Sequence, residues 1–84
     1  MARTEEPELF YNAGLICQKR GQATDAILYY QLALNEDPEF AEALLNLGQA
    51  LMATGQEDEA RSYWRKAIRE KPELAQIYFE PPMA

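Results

Sequence analysis

The chain has 84 residues, 48% of them hydrophobic and 26% charged, which is the make-up of one small globular domain rather than a disordered tail. Its formal net charge of −6 disfavours nucleic acid, whose binders need a basic footprint, and disfavours an anionic membrane surface. There is no histidine and one cysteine, Cys17, so the commonest general base, the commonest metal ligand and any intrachain disulfide are missing.

Residues 1–6 read as an N-terminal tail. The opening "MARTEEPELF" is acidic and has no apolar core of a signal peptide. No apolar run approaches the roughly 20 residues that span a bilayer. The expectation is a cytoplasmic chain without membrane insertion, either complete or cut from a longer array.

A first helix is expected over residues 8–20. Phe10, Ala13, Gly14 and Cys17 keep the i, i+3, i+4, i+7 spacing of a helix with one apolar face. Pro7 suits its start, where a missing N–H costs little. "KRGQ" ends it, with Gly21 available for a left-handed cap. Cys17 on this stripe reads as a buried, inert thiol. A second helix follows over residues 24–36, with Ala26, Tyr30 and Ala33 facing the first. "NEDP" stops it, because the residue before a proline avoids the helical region.

The third and fourth helices, 39–53 and 57–71, repeat the first two. Leu44, Leu47, Gly48 and Leu51 form the inner stripe, and Gly55 breaks the chain. Glu57 to Glu59 load one end of the fourth helix with acid, and Arg65, Lys66, Arg69 and Lys71 gather at the other, as the helix dipole favours. A short fifth helix is expected over 73–80, stopped by Pro81-Pro82, with 81–84 a tail.

Shifting the chain by 34 residues lays residues 7–40 over 41–74 with 11 identities, among them Asn12/Asn46, Gly14/Gly48, Gly21/Gly55, Ala26/Ala60 and Pro38/Pro72. Phe10/Leu44, Tyr30/Trp64 and Phe40/Leu74 keep apolar character. A fixed period of this size marks a repeat architecture. The paired mid-helix glycines, each about 1 kcal/mol worse than alanine, imply close approach of the neighbouring helix. Ala26 and Ala33 are expected opposite the first glycine, Ala60 and Ala67 opposite the second, with Tyr30 and Trp64 filling wider gaps.

The spacing resembles the tetratricopeptide repeat, with Phe10-x2-Ala13-Gly14-x2-Cys17, Ala26-x3-Tyr30 and Pro38 in one unit. Leu44-x2-Leu47-Gly48-x2-Leu51, Ala60-x3-Trp64 and Pro72 follow in the next. The Trp and Tyr of the family pattern are replaced by other apolar side chains. The resemblance implies an all-α, right-handed α-solenoid of two antiparallel helix hairpins, residues 7–40 and 41–74, plus a short capping helix, residues 73–80. It further implies a protein–protein interaction module rather than an enzyme, without cofactor, metal or catalytic residues. A peptide or partner helix would lie in a concave groove lined by Glu8, Tyr11, Asn12, Leu15 and Lys19, then by Glu42, Leu45, Asn46, Gln49 and Met52, and further by Gln76, Phe79 and Glu80. The subclass that grips a C-terminal carboxylate needs cations where this chain has Tyr11, Gln76 and Glu80, so that variant is not expected. The alternative is a self-associating structural unit. Two repeats are fewer than such stacks usually need, and Ile77, Tyr78 and Phe79 are candidates for contact with another copy.

Overall fold

The structure, a computed structural model, describes residues 5–78, with side chains described for residues 6–76. Five helices follow in order: α1 (Glu5–Lys19), α2 (Ala23–Glu36), α3 (Ala41–Ala53), α4 (Glu57–Glu70) and α5 (Glu73–Tyr78). α1 pairs with α2 and α3 with α4 as hairpins. α2 packs on α3 to join them, and α5 leans on α4. The fold is all-α and repeat-built, as the period implies.

Both hairpin turns are made the same way. Gly21 and Gly55 have φ of 76° and 84°, the left-handed region that side chains other than glycine resist. At the first, Gln22 N–H donates to Cys17 O at 2.8 Å and Gly21 N–H to Gln18 O at 3.1 Å. At the second, Gln56 donates to Leu51 O at 2.9 Å and Gly55 to Met52 O at 3.0 Å. These pairs are Schellman caps, which satisfy carbonyls that the ending helix leaves open. The two proline corners also match. Phe40 N–H bonds Asp37 O at 3.1 Å, and Leu74 N–H bonds Lys71 O at 3.0 Å.

Helix starts differ from expectation by a few residues. α1 begins at Glu5, before the proline, so Pro7 lies inside its first turn. The first four N–H groups of a helix have no internal partner, so a proline there forfeits nothing. α3 begins at Ala41 because Pro38 and Glu39 form the corner, with Glu39 N–H held by the Asp37 carboxylate at 3.2 Å.

The core has two parts. One gathers Ala26, Tyr30, Leu47, Ala50, Leu51 and Ala60 between the hairpins. The other gathers Ala41, Leu44, Leu45, Ala67 and Leu74 under α5. Cys17 is half-buried against the first cluster rather than fully enclosed. The repeated glycines are explained by aromatic rings more than by alanines. A Cβ at Gly14 would run into the Tyr30 ring, and one at Gly48 into the Trp64 ring, with the Ala60 carbonyl 3.0 Å away. Each glycine lets a ring lie against bare backbone, and the recurring alanines keep that backbone near.

Candidate functional site

The first helices of the two hairpins meet at a cleft of about 320 Å³ lined by Glu8, Tyr11, Asn12, Phe40 and Glu42. Tyr11 and Asn12 lie three and four residues beyond Glu8 on α1, one turn on and on its side of the helix. Phe40 and Glu42 come from the start of α3, delivered by the Pro38 corner. The Tyr11 and Phe40 rings lie 5.0 Å apart at 45°, an aromatic pair in the favoured tilted range. Behind them Tyr30 lies 5.9 Å from Tyr11. The cleft therefore has an aromatic floor and a carboxylate on each side.

The two carboxylates differ. Glu8 is exposed. Glu42 is half-buried and receives a hydrogen bond from Lys71 Nζ at 2.5 Å, across the second hairpin. That bond holds the Glu42 carboxyl below its ordinary value of 4.5, against the opposing pull of burial. It also holds the Lys71 ammonium above its ordinary range. A carboxylate lowered in the folded state adds stability above its unfolded value and loses it as pH falls. Lys71→Met should therefore melt below wild type at about pH 6, and the gap should shrink toward about pH 3. A gap in Tm that stays constant across that range would show that the pair does not couple.

The two repeated asparagines have separate fates. Asn12 is exposed at the cleft. Asn46 spends its amide inside the fold, donating to Tyr11 Oη at 3.0 Å and to Glu42 O at 2.9 Å. Its amide nitrogen ties α3 to α1 and to its own previous turn, so its donors are engaged within the fold. Leu45 is a correction. It is 1% exposed, packed with Ala67 and Leu74, and its carbonyl accepts from Trp64 Nε1 at 3.2 Å. It belongs to the core, not to a groove, because α4 and α5 close over it.

Leu15 and Met52 are half-buried against the first core cluster, and Gln49 is half-buried. None of the three lines the cleft. Lys19 and Gln76 are exposed. Phe79 and Glu80 lie outside the described residues, and so do the side chains of Ile77 and Tyr78. Phe40 and Lys71 are the contributors that sequence reasoning left out of the site. Phe40 matches Leu74, which is buried, so its period mate pointed to the core. Lys71 read as one of several helix-end cations, and nothing local marks its reach to Glu42. A second hollow, of about 390 Å³, includes Leu34, Leu44 and Tyr63 in its lining. Those residues pack in or against the core clusters, so it is the seam between the hairpins.

Among the described residues no helix is long and apolar enough to cross a membrane. Residues 18–79 match the family described as tetratricopeptide repeat. Among the solved structures that share the fold are two of MamA. A crystal structure of MamA is 28% identical, with a TM-score of 0.75, over 88% of this chain and 43% of that one. A second crystal structure of MamA protein is 27% identical, with a TM-score of 0.72, over 98% of this chain and 44% of that one. The chain thus spans less than half the length of either. No curated protein matches it significantly.

Proposed function

The chain belongs to the tetratricopeptide repeat family, and from that premise we propose that it is a protein-interaction module that grips a peptide or partner helix at the cleft between α1 and α3. Proteins of this family are generally interaction modules rather than enzymes. One observation carries the reading: the cleft joins two aromatic rings, an exposed carboxylate and an exposed amide on a rigid two-hairpin frame. Aromatic faces beside carboxylates suit a segment with a basic side chain next to an apolar one. The ammonium or guanidinium meets both the ring quadrupole and the charge of Glu8. Asn12 can both donate to and accept from a backbone. Self-association as a structural unit is the second reading, favoured by the exposed apolar side chains of the first hairpin.

Random peptides of about 16 residues, long enough for an extended or helical segment, can be selected on the immobilised chain. Enriched peptides should carry Lys or Arg beside an aromatic or aliphatic residue. The double substitution Glu8→Lys with Asn12→Ala should weaken them at least about tenfold, or 1.4 kcal/mol, with the helical signal unchanged. Selection of peptides that bind this variant as well as wild type would refute the cleft.

A further inference from the structure

All five large apolar side chains exposed among the described residues belong to the first hairpin: Leu9 (64%), Ile16 (53%), Leu28 (56%), Tyr29 (36%) and Leu32 (41%). The period shows what Leu9 and Ile16 mean. Thirty-four residues on, their positions are Ala43 and Ala50, each 0% exposed, either side of the Asn46 that bonds Tyr11 of α1. The face of α3 that stacks on the first hairpin is therefore the same face that α1 leaves in water, and α1 fills it with larger side chains. A helical hairpin is this fold's own partner for that face.

Among the described residues the other end of the stack offers no matching apolar face. Leu15 and Ile27, which pack at the seam between hairpins, have Gln49 and Arg61 as their period mates. Arg61 is engaged with Glu57 and Asp58, each at 3.5 Å. α5 covers Leu45 beside them with Leu74. Among the described residues the seam positions of the second hairpin are polar, so a copy added head to tail there would set Leu9 and Ile16 against charge. A heterologous stack of copies is thereby disfavoured, and a two-fold pairing of like faces remains.

We propose that the first hairpin docks on the first hairpin of a second copy, the two α1 helices running antiparallel about a point between Asn12 and Ala13. In that register Leu9 of each copy lies opposite Ile16 of the other. The acidic first turn at Glu6 lies beside Lys19 in the basic last turn of the partner helix, and the antiparallel dipoles attract. Tyr29 and Leu32, one turn apart on α2, extend the apolar strip at its side. Single apolar side chains on a surface are ordinary, but a cluster confined to one hairpin is the mark of an interaction face. The aromatic floor of the cleft lies off this face, but Asn12 belongs to both, so pairing and peptide binding compete for it.

Sedimentation equilibrium of the whole chain tests it, run from low to high micromolar concentration. Wild type should form a concentration-dependent dimer and nothing larger. Leu9→Glu and Ile16→Glu should each weaken it at least about tenfold while leaving the helical signal intact, since both sites are exposed. Ala13→Cys in a Cys17→Ser background should form a disulfide-linked dimer under mild oxidation, and Ser62→Cys on α4 should not. A monomer throughout, an open-ended polymer, or a dimer indifferent to Leu9→Glu and Ile16→Glu overturns the proposal. Peptide selection on the Leu9→Glu variant keeps the cleft testable whichever result appears.

Discussion

Leu45→Glu should unfold the protein rather than merely weaken a partner. Leu45 is 1% exposed and packs with Ala41, Leu44, Ala67 and Leu74, so the second hairpin and α5 both depend on it. Losing a buried leucine costs about 2–5 kcal/mol, and an unpaired carboxylate in its place adds several more unless it stays protonated. A domain this small has a total stability of about 5–15 kcal/mol, nearer the lower end for its size. The far-UV circular dichroism of the variant should show loss of most helix at neutral pH. A variant with wild-type helicity and an unchanged urea midpoint would place Leu45 at the surface and restore it to the groove.

Tyr30→Ala is expected to be nearly as damaging. The ring is 0% exposed, lies against the bare backbone at Gly14, and bears on Tyr11 from behind the cleft. Large-to-small changes of this kind cost about 3–5 kcal/mol. Tyr30→Phe keeps the ring and loses only the hydroxyl's hydrogen bond to the Gln18 side chain, about 0.5–1.5 kcal/mol. Urea melts should rank wild type, Tyr30→Phe and Tyr30→Ala in that order. A Tyr30→Ala midpoint within error of wild type would mean that the two hairpins do not share this ring.

The hydroxyl also sets an alkaline limit. Burial, with smaller contributions from the charges of Tyr11 and Cys17, pushes the Tyr30 phenol well above its ordinary value of 10.0. In the unfolded chain the phenol ionises near that ordinary value, while the folded chain holds its proton longer. The stability it contributes is complete below the unfolded value and declines as pH rises past it. Wild type should lose Tm above about pH 10 more steeply than Tyr30→Phe does. Parallel slopes would show that the ionisation is not linked to folding.

Helices and corners were legible because their signals are local. Gly21 and Gly55 sit where a Schellman cap requires φ > 0, and Pro38 and Pro72 where the chain must turn. The α1 side of the cleft was legible too, through the family resemblance, which implies Tyr11 and Asn12 as groove residues. The α3 side was not. Transferring repeat positions assumes that every hairpin has the same neighbours, whereas α3 has α1 on one side and α5 on the other. Tyr11 and Leu45 occupy one repeat position, yet Tyr11 lines the cleft while Leu45 is sealed beneath Leu74. Asn12 and Asn46 diverge for the same reason: among the described residues only Asn46 has a preceding helix to bond. The exposure of Leu9 and Ile16 is the same effect at the first hairpin's outer edge.

Amide chemical-shift mapping with a selected basic–apolar peptide bears most directly on the central claim. The account predicts saturable shifts concentrated at Glu8, Tyr11, Asn12, Phe40 and Glu42, with little change along α4. Shifts confined to the α2–α4 side, with those five amides unmoved at saturation, would contradict the assignment of binding to the cleft between the first helices.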